Sequence, residues 1–184
     1  MSSEFPVHTT ETAPAGSRRF LEGLQKEIGF LPNLAATMGE SPTLIEAFTS
    51  LRSMLGRSAF TPIERETISL AVSVANDCSY CIAAHSTFAR RHGASEDLID
   101  ALRAGELPGD GRLGALARYT RELLRDRGHV SDTAKQAMLD AGYTRAQLLE
   151  TIAVVAFTTI ANYAHNVTKC PIDAPFTRSA ARVV

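Results

Sequence analysis

The 184-residue chain has no tryptophan, only three cysteines and almost no net charge, and the last two shortages each narrow what it can be. Nineteen basic residues against twenty acidic ones leave a formal charge of −1. No basic field is available to neutralise phosphates, so neither nucleic acid nor an anionic membrane is expected as a partner. Long apolar runs are missing as well. The longest, Ile152 to Ile160, contains two threonines and is too short to cross a bilayer. The opening residues, Met1-Ser2-Ser3-Glu4-Phe5-Pro6-Val7-His8, show neither a basic region nor an apolar one, so no export signal is read and the expected compartment is the cytoplasm. An odd count of three cysteines does not make a secreted disulfide framework. A chain of this length buries about 70% of its unfolded surface without cross-links, which frees its cysteines for chemistry.

Strand signals are also lacking: no segment shows β-branched alternation bounded by turns. Helix punctuation is everywhere instead, and it predicts an all-α domain spanning 16–184 behind an N-terminal arm, 1–15, whose threonines, prolines and sparse apolar pattern suggest disorder or draping over a neighbour. Helices are expected over 17–28, ending at Gly29; after Phe30-Leu31-Pro32-Asn33, up to about Gly39; and from Pro42, capped by Ser41. Thr61-Pro62-Ile63-Glu64 is a capping box that starts a helix running to about Ala75, where Asn76-Asp77 interrupts the pattern and can cap a further helix opened by Cys78. A short helix from Ser95 and helices over roughly 112–126, 132–141 and 145–167 follow, the last opened by a second box, Thr144 to Gln147. Pro171 and Pro175 are read as ending the pattern.

Within this helical frame, Cys78-Ser79-Tyr80-Cys81 and His85 place two thiols and an imidazole in eight residues. At about 100° per residue all three share one helix face. A pair of cysteines one turn apart can close into a disulfide, and a histidine on the same stripe can move their protons. The helix start favours an anion at Cys78, while His85, four residues on, favours Cys81; the residues alone do not decide which thiol attacks. Glu66 lies twelve residues before Cys78, about 18 Å away on one straight helix. A fold-back at Asn76-Asp77 would instead bring Glu66 level with His85 or the next turn, giving a carboxylate, imidazole and thiol in relay order.

Competing readings exist for each group. Cys78, Cys81 and His85 could ligate zinc, with His165 or Cys170 completing the set, although the second Cys/His pair that zinc sites use is absent. Two buried cysteines on a core face would be a purely structural outcome. Asn162 and His165 share a face of the last long helix and read as an interhelical polar contact; Cys170 reads as a structural thiol.

At these residues the chain resembles the AhpD-like alkylhydroperoxidase family, part of the carboxymuconolactone decarboxylase superfamily. Glu66, eleven intervening residues, Cys78-x-x-Cys81 and x-x-x-His85 reproduce its pattern, and Gly29 to Asn33, Ser41-Pro42 and Thr61-Pro62 are also similar. The resemblance covers about residues 20 to 172 and implies an AhpD-like helical bundle, a homo-oligomer and a thiol peroxidase. It makes Cys81 the peroxidatic cysteine, Cys78 the resolving one, and Glu66 with His85 the proton relay. It implies hydrogen peroxide or organic hydroperoxides as substrates and a dihydrolipoamide or thioredoxin-type protein as reductant, with no cofactor and no metal. Tyr80 stands where the well-studied AhpD proteins carry histidine, and is a phenolic addition to the catalytic set. The alternative is a non-redox enzyme of the same superfamily using Glu66 and His85 on a lactone or small carbonyl compound.

Overall fold

Many of the helices begin where a side chain accepts a free N–H of the first turn, as Ser41, Thr61, Ser95, Ser131 and Thr144 each do. The computed structural model describes residues 5–109 and 111–180. The first four residues of the expected arm, residue 110, ahead of the helix expected over 112–126, and residues 181–184 lie outside that description. Among the described residues there are ten helices and no strand: α1 (Ala15–Ile28), α2 (Asn33–Met38), α3 (Pro42–Leu55), α4 (Pro62–Ala75), α5 (Ser79–Arg91), α6 (Glu96–Arg103), α7 (Arg112–Arg125), α8 (Asp132–Asp140), α9 (Arg145–Thr168) and α10 (Ala174–Ala180). Both capping boxes form. Thr61 accepts from the Glu64 N–H while the Glu64 carboxylate accepts from the Thr61 N–H, and Thr144 and Gln147 repeat the exchange at α9.

Helix α4 is the axis of the bundle, packing against α5, α7 and α9 through a nearly continuous buried surface that includes Ile68, Leu70 and Val72. Its contact with α9 is polar as well as apolar. Thr158 donates to Ser69 at 3.1 Å, Asn162 donates to Ser73 at 3.2 Å and accepts from Asn76 at 2.9 Å, and Asn166 donates to the Asn76 carbonyl at 2.8 Å. These groups recur every three or four residues on both helices, so one hydrogen-bonded ladder fixes the register of α9 on α4. Glu64 adds a tie to α7: burial works to raise its pKa, but the Thr61 N–H and the Arg112 guanidinium, 2.8 Å away, outweigh burial and hold it below the usual carboxylate range.

Three features differ from the sequence reading. Residues 5–14 are held in place rather than loose: His8 meets Glu40 at 2.7 Å, and Ala13 is buried in the core. Helix α1 starts two residues early, at Ala15 behind Pro14. Helix α9 does end before Pro171, at Thr168, but helical structure resumes at Ala174, beside Pro175. Pro175 is the second residue of α10, where its missing N–H costs nothing and its fixed φ suits a helix start, so it opens a helix that packs on α5.

Candidate active site

The site is built at the break between α4 and α5. Asn76 closes α4, Asp77 adopts a left-handed conformation (φ 49°), and the Cys78 N–H returns to the Ser73 carbonyl at 3.0 Å. The expected cap, Asn76 or Asp77, is not the one used. Cys78 is itself the N-cap of α5, its sulfur accepting the Cys81 N–H at 3.3 Å. The reason is geometric: the left-handed turn at Asp77 leaves Cys78 with the extended backbone of an N-cap, φ −99° and ψ 94°.

The turn folds α5 back along α4, and the fold-back brings Glu66 to His85: the Glu66 carboxylate lies 2.7 Å from His85 Nδ1, both side chains largely buried. Glu66, His85 and Cys81 all line one cavity of about 370 Å³. The remainder of its wall is mostly apolar, including Leu34, Met38, Phe48, Phe88 and Phe157, with Phe48 and Phe157 stacked at 4.7 Å.

The two thiols differ sharply. Cys78 is fully buried and does not line the cavity. Its pKa is lowered to about 5, first by the Cys81 thiol donating to it, against the opposing effect of burial, and further by His165 and the Cys81 N–H. Cys81 moves the other way, well above an ordinary thiol, because it gives its hydrogen bond to Cys78 and is buried beside that charge. In the reduced site the negative charge therefore rests on Cys78 and the proton on Cys81, the thiol that faces the cavity.

Tyr80 lines the cavity too, and its hydroxyl donates to Asp173 in a short hydrogen bond while accepting from the Leu34 N–H at 3.4 Å. Burial first, then the neighbouring Asp173 carboxylate, push its ionisation far above the ordinary phenol range. Added to the catalytic set as a phenol, Tyr80 is instead an anchored neutral group that ties the CxxC to the C-terminal segment, where Asp173 also accepts the Asn33 N–H at 3.1 Å. Sequence reasoning missed Asp173, whose place between two prolines carries no periodic signal. It treated His165 as an ordinary interhelical contact; the structure buries it beside Cys78, with its ring 5.4 Å from that of Tyr80. Among the described residues no group of three or more His, Cys, Asp and Glu side chains is arranged to hold a metal ion, and no helix is long and apolar enough to cross a membrane.

Comparison with known proteins agrees with this architecture. Residues 42–122 match the model of the carboxymuconolactone decarboxylase family. The chain has an AhpD-like helical fold. An alkylhydroperoxidase AhpD core structure, an uncharacterized peroxidase-related protein from Ralstonia eutropha JMP134, superposes with a TM-score of 0.83 at 24% identity, covering 98% of this chain and 96% of that one. A peroxidase-related protein from Silicibacter sp. TM1040 gives 0.77 at 22% identity, over 94% and 91% of the two chains. The debrominase Bmp8, solved as a cysteine-to-alanine variant with 2,3,4-tribromopyrrole, gives 0.78 at 18% identity, over 100% and 98%. No curated protein sequence matches. The AhpD-like chain therefore shares its helical frame with proteins of more than one described chemistry.

Proposed function

We propose that this AhpD-like protein is a two-cysteine, thiol-dependent peroxidase. The observation that carries the reading is the joint placement of Cys81 and the 2.7 Å Glu66–His85 pair on the wall of one cavity. His85, oriented by Glu66, draws the proton from Cys81, and the resulting thiolate attacks the peroxide. An S–O bond forms, the O–O bond breaks, and the alkoxide or hydroxide leaving group is protonated. Cys78 then attacks the sulfur of the Cys81 sulfenic acid, forming the disulfide and releasing hydroxide that is protonated to water. A charge already resting on Cys78 suits it to this second attack, because the thiolate is the nucleophilic form. An external dithiol protein, of the dihydrolipoamide or thioredoxin type, returns the two electrons.

Mass spectrometry of the reduced protein after one equivalent of peroxide is expected to show a Cys78–Cys81 disulfide, and the Cys78→Ser variant a trapped sulfenate at Cys81. Unmodified thiols in both experiments would end this reading. The matched family's description favours one alternative, acid–base chemistry on a lactone through Glu66 and His85. Activity of that kind survives replacement of both cysteines, whereas peroxidase activity does not. The apolar cavity and the tribromopyrrole bound by Bmp8 make halogenated rings the natural additional compounds to assay against the same variants.

A further inference from the structure

One buried titratable side chain beside the dithiol has no role in the scheme above. His165 projects from the last turns of α9, is 5% exposed, and packs its ring against Tyr80, the residue inside the CxxC. Its Nδ1 is buried without a hydrogen-bond partner. Buried polar atoms are nearly always paired, and an exception at the edge of a reactive group is a reason to look for a proton that comes and goes. Cys78, its neighbour, faces a matching difficulty. That sulfur is fully buried and absent from the cavity wall, whereas Cys81 and His85 line it.

We propose that His165 is the charge partner that holds the buried Cys78 as a thiolate, complementing the Glu66–His85 pair that serves Cys81. The inference rests on the two-cysteine reading and deepens it. The titratable groups bearing on Cys78 are Cys81 from α5, His165 from α9 and Cys170 just beyond α9; Tyr80 and Asp173 form the next layer. Cys170 is pushed up to about 11, chiefly by burial, and holds its proton. Cys81 is the proton donor of the pair. That leaves His165 as the neighbour whose imidazole can stabilise a charge on Cys78, and it contributes to lowering the Cys78 pKa. Before disulfide closure His165 steadies the charge that already rests on Cys78. The Cys78 sulfur then attacks the Cys81 sulfenic acid: the S–S bond forms, the S–O bond breaks, and the hydroxide is protonated to water. In the return half-cycle the thiolate of the external dithiol attacks the Cys81 sulfur at the cavity wall, and Cys78 departs as a thiolate stabilised beside His165, a good leaving group.

Stopped-flow oxidation of full-length protein by hydrogen peroxide, with dimedone trapping, tests the proposal through His165→Gln. Sulfenate formation at Cys81 is expected to stay within about two-fold of the parent, while disulfide closure slows by at least about ten-fold, so that the sulfenate accumulates. Thiolate absorbance at 240 nm, titrated on reduced protein without peroxide, is expected to shift its midpoint upward. Closure and titration both at parental values overturn the proposal. Parental thiols inert to peroxide, with a midpoint that still moves in the variant, would defeat the peroxidase reading and keep the His165–Cys78 pairing. Should His165→Gln not fold, the unsubstituted protein decides: the imidazole NMR titration of His165 is expected to move to lower pH once diamide has closed the disulfide and removed the neighbouring charge, and an unmoved titration refutes the pairing.

Discussion

One sulfur, that of Cys78, both caps a helix and carries the charge of the reduced site, and this makes the stability of the protein depend on pH in a defined direction. A thiol whose folded pKa lies at about 5 adds stability that is complete above its unfolded value, 9.0, and is lost as pH falls towards 5. Cys81 is shifted up, so its contribution is present below 9.0 and lost above it. Denaturant midpoints of the reduced protein should accordingly climb from pH 5 to about 9 and fall beyond it, and Cys78→Ala should flatten the climb. Glu66→Gln keeps the shape of its side chain but not its charge; turnover should drop by about 10- to 100-fold while the melting temperature scarcely moves, a separation read by parallel kinetics and calorimetry. Tyr80→Phe strips Asp173, itself buried, of its hydroxyl partner and should cost about 1–3 kcal/mol in thermal or denaturant unfolding.

Among the elements, the α4–α5 hairpin determines whether a site exists. Its turn depends on Asp77 at φ 49°, a conformation that aspartate tolerates and a β-branched residue does not. Asp77→Val should cost about 1–2 kcal/mol and separate Glu66 from His85, whereas Asp77→Gly should retain both fold and pair; urea melts together with the histidine NMR signal of His85 distinguish the two. Much of this hairpin was legible in the sequence. Thr61-Pro62-Ile63-Glu64 announced the start of α4, and the count from the break placed Glu66 opposite His85. The identity of the cap was not legible, because Asn76, Asp77 and Cys78 can all accept hydrogen bonds and only the backbone angle at one residue selects among them. Helix α10 escaped for a related reason: a proline read as a stop is a start when it falls in the first turn of the next helix.

For the molecule as a whole, α9 has two working faces. One faces inward, with Asn162 and His165; the other exposes Leu149, Ile152, Tyr163 and Val167, with no Asp, Glu, Lys or Arg from 151 to 168. The homo-oligomer implied by the family resemblance would use this outer face. Light scattering should then give a lower mass for a Leu149→Glu, Val167→Glu double variant than for the parent, and a parent that is already monomeric defeats the idea. Contacts at this scale were the least readable in the sequence, since nothing local to Tyr80 names a partner 93 residues away. That separation matters during synthesis. A ribosome delivers Glu66, both cysteines and His85 well before it delivers the helix that bears His165, and the carboxylate that anchors Tyr80 comes later still. On the nascent chain the thiols are therefore present before their buried surroundings, and the later-emerging stretch from His165 to Asp173 is the one that closes over them.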